Sequence, residues 1–293
     1  MEVFLNGAFV PACEARVSVF DRSFLYGDGL FETIRCYDGL PFAWAQHLDR
    51  LHAGAEFLRL RLPFSDEALL AAALEVLRRH GLSGAMVRLH VSRGVGRRGY
   101  SPAGAEEPGV IITAHPAPEV SPERPLKWRL ATSPFRVPAG DPLAPFKTGS
   151  RLLNVLARQR AEEAGTDEAL LLDTAGHVAE AASGNVFWHA DGAWHTPPPA
   201  TGALAGVTRR VLLEALAAAG RPCHESCAGP EALLAADAVV VTSSGVEVAR
   251  AVSLDGRPLA PGGASDALHR LHRDCVRAAL GRRFSVGTGG RTF

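Results

Sequence analysis

Lysine is nearly absent from this chain: of 31 basic residues, only Lys127 and Lys147 are lysines. Arginine pairs well with carboxylates and phosphates, but its guanidinium stays protonated and cannot condense with an aldehyde. A lysine amine can, once its free base is available, so such chemistry is confined to two positions. Lys127, in Pro125-Leu126-Lys127-Trp128-Arg129, reads as a surface residue entering a strand. Lys147 sits in Pro145-Phe146-Lys147-Thr148-Gly149-Ser150-Arg151, a loop leading into a helix. Net charge is lacking as well. The 31 basic and 31 acidic residues give a formal charge of +0, which offers a phosphate backbone no general attraction, so nucleic acid is not an expected partner. No apolar run approaches the ~20 residues of a spanning helix. The opening Met1-Glu2-Val3-Phe4-Leu5-Asn6-Gly7 lacks the basic and long apolar segments of a secretory leader. A cytoplasmic protein without membrane association is expected. The five cysteines, at 13, 36, 223, 227 and 275, are scattered and odd in number. Cys223 and Cys227 bracket His224, but no second ligand pair follows at zinc-site spacing, so reduced thiols and no metal are expected.

What is present is the composition of a folded globular protein, 47% hydrophobic and 21% charged over 293 residues. That length suffices for one large domain or two modest ones. Asn6-Gly7 and Asp38-Gly39 predict hairpins between strands at 2–5 and 8–10, and between strands at 30–37 and 41–44. Apolar spacing predicts helices over 46–60 and, between Ser65 and Gly81, over 66–80. Strands follow at 86–92 and 110–114. Residues 116–125 then carry four prolines, the mark of an interdomain linker. Beyond it, strands are expected at 127–132, 168–172, 178–179, 185–189, 238–242 and 247–252, with helices over 151–164, 207–219 and 265–280. The Gly-rich tail 285–293 is expected to fray. The chain thus reads as α+β, with an N-terminal domain over 1–115, a linker over 116–126 and a larger C-terminal domain over 127–293 that carries Lys147.

Three segments offer groups that would suit an anionic, ring-bearing cofactor, and each has a plainer reading as a helix cap, a turn or an internal ion pair. Gly202-Ala203-Leu204-Ala205-Gly206-Val207-Thr208-Arg209-Arg210 is a glycine-rich turn opening a helix, whose free backbone N–H groups suit an anion. Thr242-Ser243-Ser244-Gly245 offers small hydroxyl donors at the end of a β-run. Val178-Ala179-Glu180-Ala181-Ala182-Ser183-Gly184-Asn185 sets one carboxylate among apolar and small residues, where it requires a cationic partner. A pyridinium nitrogen or an arginine would serve.

Phe20-Asp21-Arg22-Ser23-Phe24-Leu25-Tyr26-Gly27-Asp28-Gly29-Leu30-Phe31-Glu32-Thr33-Ile34-Arg35, followed by His47-Leu48-Asp49-Arg50-Leu51, resembles the opening of class IV (fold-type IV) pyridoxal-phosphate enzymes. The likeness continues through Lys147, Asn154-Val155-Leu156-Ala157-Arg158-Gln159, Asp167-Glu168-Ala169-Leu170, the Glu180 segment and Gly206-Val207-Thr208-Arg209. The family includes branched-chain and D-amino-acid aminotransferases and aminodeoxychorismate lyase. The resemblance implies a two-domain fold, with a small N-terminal α/β domain and a larger C-terminal pseudo-barrel domain, and a homodimer. It also implies pyridoxal 5'-phosphate held by Lys147 at its aldehyde, by Glu180 at its ring nitrogen, and by Arg50, Val207, Thr208 and Ser244 at its phosphate, with Ser243 close by. The physical logic agrees, since a carboxylate keeps a pyridine nitrogen protonated and a helix N-terminus holds a phosphate. Two departures bear on the cofactor's phenolate oxygen. Phe31 stands where D-amino-acid aminotransferases carry a tyrosine, and Leu152 where branched-chain enzymes carry one.

Gly94-Val95-Gly96-Arg97-Arg98-Gly99 fits a dinucleotide fingerprint, but Tyr100-Ser101-Pro102 follows where that motif needs a helix. By resemblance this loop approaches the substrate and looks like that of aminodeoxychorismate lyase. Arg98 would meet a substrate carboxylate, with Tyr100 beside it; Phe31, Arg35 and Arg93 complete the candidate substrate set. The function implied is transfer of an amino group between an amino acid or amine and a 2-keto acid. The alternative is a lyase releasing pyruvate and 4-aminobenzoate. A non-catalytic cofactor-binding protein is a third reading, opposed by the presence of both Lys147 and Glu180.

Overall fold

The structure, a computed structural model, describes residues 1–287. It divides into two compact units: Met1–Pro118 together with Phe146–Ser150, and Glu119–Pro145 together with the chain from Arg151 onward.

In the first unit, β1 (Glu2–Leu5) and β2 (Ala8–Pro11) form a hairpin around Asn6 and Gly7, whose φ of 50° and 99° are the two positive values a type I′ turn needs. The short helix α1 (Arg22–Tyr26) is capped by the Asp21 side chain and stopped by Gly27 at φ 69°. Then come β3 (Gly29–Tyr37), β4 (Leu40–Pro41), α2 (Trp44–Leu58), α3 (Asp66–His80), β5 (Ala85–Ser92) and β6 (Gly109–Pro116). The Ser65 hydroxyl accepts from the Ala68 amide at the start of α3, and Gly81 ends it at φ 62°. The strands make an antiparallel sheet ordered β2-β1-β6-β5-β3-β4. Period-two alternation sends Leu30, Ile34, Val87, Leu89 and Ile112 to one face, where they share a core with Leu48, Leu51, Leu69 and Val76 of the helices. Phe31, Thr33, Arg35, Arg88 and His90 alternate to the other face. The second hairpin is shorter than its sequence implies, because Trp44 opens α2 after Ala43 turns at φ 53°.

The second unit contains β7 (Leu126–Val137), α4 (Leu152–Glu163), β8 (Glu168–Asp173), β9 (Val178–Ala181), β10 (Asn185–Ala190), β11 (Ala193–Thr196), α5 (Val207–Ala218), β12 (Cys223–Glu225), α6 (Pro230–Ala235), β13 (Ala238–Ser243), β14 (Glu247–Leu254), β15 (Arg257–Pro258) and α7 (Gly263–Gly287). Its sheet runs β12-β11-β10-β13-β14-β7-β8-β9, with β15 on β14. A bridge from Ala181 to Gly184 brings β9, the last strand of that order, back to the start of β10, so the sheet curls on itself. Both β8 and β9 are buried along their whole length. The elements β11, β12, β15, α1 and α6 are absent from the sequence reading, being too short to show a period. The expected tail begins inside α7, which continues to Gly287; the residues after it lie outside the described residues.

One placement differs from the sequence reading. Residues 146–150, with Lys147, associate with the first unit and not with the C-terminal one. The cause is backbone pairing: the Phe31 amide donates to the Lys147 carbonyl at 2.9 Å, the Gly149 amide donates to the Gly29 carbonyl at 2.8 Å, and Leu30 bridges Thr148. Gly29 has no room for a side chain, since a Cβ there would lie 2.6 Å from the Val91 carbonyl oxygen.

Candidate active site

Pinned along β3, Lys147 places its Nζ 4.6 Å from the centre of the Phe31 ring. The same ring has the Arg88 guanidinium 3.8 Å from its centre and the His90 imidazole stacked at 6.5 Å. Two cations therefore share the electron-rich face environment of one aromatic ring, an attraction worth about 0.5–2 kcal/mol each. His90 also shares a hydrogen bond with the Ser23 hydroxyl at 3.0 Å, and burial lowers its pKa.

Arg50 lies on α2 and reaches Glu32 on β3. Its Nε donates to one carboxylate oxygen at 2.8 Å and its Nη2 to the other at 2.6 Å, and His47 Nδ1 stands 2.6 Å from the second oxygen. Glu32 is 1% exposed and sits on the core face between Leu30 and Ile34. Burial raises its pKa, yet Arg50 and His47 together outweigh that and hold it at about 2. Burial pushes His47 down, with Arg50 and Lys147 adding to the effect against Glu32. Breaking such a buried pair costs roughly 3–5 kcal/mol, so Glu32 and Arg50 act as one unit. The sequence reading singled out Arg50 but neither Glu32 nor His47. A charged residue at an apolar-face position of a strand was the available signal.

The other candidate arginines separate. Arg93 is buried and turns its nitrogens inward: Nε on Asp28 at 2.8 Å, Nη2 on the Leu58 carbonyl at 2.9 Å and Nη1 on the Arg59 carbonyl at 3.2 Å. It caps the end of α2, so its nitrogens are engaged within the first unit. Arg35 is buried, donates to the Pro118 carbonyl at 2.9 Å and lies over the Tyr37 ring. Arg98 and Tyr100 are exposed, Tyr100 at 89%. Arg88 was missed by the sequence reading, although among the described residues no hydrogen bond or carboxylate engages its guanidinium.

In the second unit, Glu180 on β9 is buried, and one of its carboxylate oxygens accepts from the Leu204 amide at 2.9 Å. The Asn185 side chain on β10 donates to the Leu204 carbonyl at 2.8 Å, clamping the same residue from its other side. Two residues on, Gly206 caps α5 with no side-chain hydrogen bond, and a Cβ there would collide with the Asn185 amide oxygen. The first turn of α5 therefore presents the Val207 and Thr208 amides directly. Arg209, buried in the same turn, anchors it to the Pro197 carbonyl at 3.0 Å and to Glu225. Asn185 also pairs in register with Thr242, so β13 delivers Ser243 and the turn containing Ser244 beside these groups. Glu180, Val207, Thr208, Ser243 and Ser244 are thus positioned by one connected set of strands within this unit. Leu152 is 69% exposed at the start of α4. Among the described residues there is no His, Cys, Asp and Glu cluster that could hold a metal, and no helix long and apolar enough to cross a membrane.

Residues 29–254 match the family model for amino-transferase class IV. The chain is 38% identical over 88% of its length, and 89% of the relative's, to a protein of Methanocaldococcus jannaschii provisionally named a branched-chain-amino-acid aminotransferase. It is 30% identical to aminodeoxychorismate lyase of Bacillus subtilis, over 84% of each chain. A solved structure of the branched-chain aminotransferase from the thermophilic archaeon Thermoproteus uzoniensis, with norvaline, superposes with a TM-score of 0.87 at 28% identity, covering 96% of this chain and 95% of the other. The curled second sheet and the small antiparallel unit are the fold these relatives share, and the chain belongs to the amino-transferase class IV family.

Proposed function

We propose that this enzyme is an aminotransferase that uses pyridoxal 5'-phosphate to move an amino group between an amino acid, or amine, and a 2-keto acid. The observation that carries the reading is the setting of Lys147, one of two lysines in the chain, fixed by its backbone to β3 with its amine over Phe31. The donor set fits the cofactor. In the second unit the side-chain-free cap at Gly206 leaves amides for a phosphate, with Thr208, Ser243 and Ser244 as further donors; Arg50 of the first unit, braced by Glu32, is the donor that the family resemblance adds. The buried Glu180 carboxylate, held by the Leu204 amide, suits a protonated ring nitrogen.

When bound, the cofactor supplies an aldehyde carbon for the amine and a ring that stores negative charge. The protein's own tasks follow from its side chains. Lys147 would hold the aldehyde, and its free amine would be the base that carries the proton of the amine-bearing carbon. Glu180 would keep a proton on the ring nitrogen. Phe31 gives the lysine an apolar floor, and Arg88 and Arg98 are the cations available for a substrate carboxylate.

Lyase activity is the second reading, favoured by the Arg93–Tyr100 loop, which resembles that of aminodeoxychorismate lyase, and by the Bacillus subtilis relative. A panel of L-amino acids, D-amino acids and amines with 2-keto acids, run beside pyruvate release from aminodeoxychorismate, decides between them. Keto-acid-dependent turnover with no pyruvate release is the expected result; pyruvate release alone would replace the aminotransferase reading.

Arg98→Ala is expected to weaken carboxylate substrates by about 1.5–3 kcal/mol, the worth of a hydrogen bond to a charged group, and to leave uncharged amines unaffected. The comparison is of kcat/KM for the two substrate kinds, with Arg97→Ala as control. An unchanged Arg98 variant beside a damaged Arg88→Ala variant would assign the carboxylate to Arg88.

A homodimer is part of the same proposal. Val17, Val19, Phe20, Phe24 and Val95 are all at least 50% exposed in one region of the first unit, and apolar patches of this kind mark interaction surfaces. Several of them line a cleft of ≈ 810 Å³ with His90 and Ser92. Light scattering is expected to give twice the 31.0 kDa of the chain; a fully active monomer would remove this part.

A further inference from the structure

The Gly94-to-Gly99 run fails as a nucleotide motif, and the structure gives its glycines another use. Gly94 turns at φ 85°, and a Cβ on it would collide with the Glu107 carbonyl; Gly99 turns at φ 105°. At Gly96 a Cβ would come within 2.9 Å of both the Arg22 Cδ and the Ala105 Cβ. The glycine at 96 is therefore a notch that receives the stem of an arginine.

That arginine is 3% exposed, and all three of its guanidinium nitrogens are engaged. Its Nε donates to Asp28 at 2.8 Å, its Nη1 to the Gly99 carbonyl at 2.9 Å and its Nη2 to the Tyr100 carbonyl at 3.1 Å. The Arg22 amide donates to the Gly94 carbonyl at 2.9 Å, so the turn is gripped at both ends. Below it, the Tyr26 hydroxyl accepts from the Gly99 amide at 3.1 Å, and the Tyr26 ring lies 5.0 Å from the Arg22 guanidinium and 5.6 Å from the Tyr100 ring. Asp28 is shared with Arg93, which caps α2, so the grip is tied to a long helix. Above this base the Arg98 side chain is exposed and, among the described residues, engages no hydrogen bond or ion pair. A buried, fully bonded arginine thus fixes the backbone on which an exposed, unengaged arginine stands.

We propose that Arg22 is a positioning residue: by holding the Gly99 and Tyr100 carbonyls from within the Gly96 notch, it sets where Arg98 meets a substrate carboxylate and so sets selectivity for carboxylate-bearing substrates. The proposal rests on the reading of Arg98 above. It predicts a loss confined to one class of substrate, because a misplaced donor weakens only the contact it makes. A displacement near 1 Å at such a contact can cost up to about a hundredfold.

The test uses Arg22→Met, which keeps the stem and removes the donors, and Gly96→Ala, which keeps Arg22 and fills its notch. Two readouts are made on the holoenzyme: amide exchange across 97–101 together with tryptic cleavage after Arg97 and Arg98, and the kinetics of a carboxylate substrate against an uncharged amine. Both variants are expected to speed exchange and cleavage in the turn and to raise KM for the carboxylate substrate about tenfold, with kcat and the uncharged amine little changed. On an Arg98→Ala background, Arg22→Met is expected to add nothing to that KM. A turn as protected as in the parent would overturn the clamp. A full additional loss on the Arg98→Ala background, or an equal loss with uncharged amines, would overturn the selectivity role. If Arg98→Ala alone leaves KM unchanged while Arg22→Met frees the turn, the reading of Arg98 fails and the selectivity role falls with it, with the clamp itself still measured.

Discussion

Lys147→Ala is expected to abolish turnover and, with it, the covalent adduct that borohydride traps between protein and cofactor. No other amine is well placed to substitute. Lys127, the remaining lysine, is exposed on β7 in the second unit and faces Arg250 in register, a neighbour that repels a cation. Lys147 differs in being pinned through the Phe31 amide and in resting over an aromatic ring, so its amine has few places to go. Loss of both covalent attachment and the proton-transfer group removes two roles at once, and such effects do not divide into separate contributions. The measurements are absorbance of the purified protein, peptide mapping after borohydride reduction, and turnover. An adduct that persists and maps to Lys127 would overturn the central assignment.

Glu180→Gln is expected to retain the cofactor and to slow proton abstraction by about two to three orders of magnitude, the usual loss when one preorganised contact to a developing charge is removed. Glutamine keeps a carbonyl oxygen for the Leu204 amide, so the loop that caps α5 should stay in place. What it removes is the counter-charge at the ring nitrogen. Single-turnover kinetics with an α-deuterated substrate separate this step from binding. A rate close to the parent's would show that Glu180 serves partners within the protein, the Leu204 amide among them, and loss of cofactor would show that it acts through the loop.

Much of the fold was legible from local pattern. The helix over Asp66–His80 was expected with the same ends, because Ser65 and Gly81 supply a cap and a stop that operate within one turn of chain. The β1–β2 hairpin was equally plain from Asn6-Gly7. The short elements α1, α6, β11, β12 and β15 were not, since two to six residues cannot display a period and owe their form to neighbours. Candidate site residues showed the same split. Glu180 and the Gly206 cap announce themselves as a carboxylate among small residues and a glycine before a helix. Glu32, His47 and Arg88 matter through partners brought together by strand pairing or helix packing, and of the three only Glu32, a charge at an apolar-face position of a strand, left a signal in the sequence.

The sequence by itself determined the family and the α+β class, because those rest on residue chemistry and on motifs contained in short windows. Tertiary structure alone decided three things. It moved Lys147 to the first unit through hydrogen bonds with β3, more than a hundred residues earlier in the chain. It turned the Arg93 guanidinium onto Asp28 and the end of α2. It also made Gly96 the seat of Arg22, where a run of glycines read alone suggests a phosphate. Each depends on what a side chain meets across long separations in sequence, and an arginine facing a carboxylate has the same one-letter code as an arginine facing water.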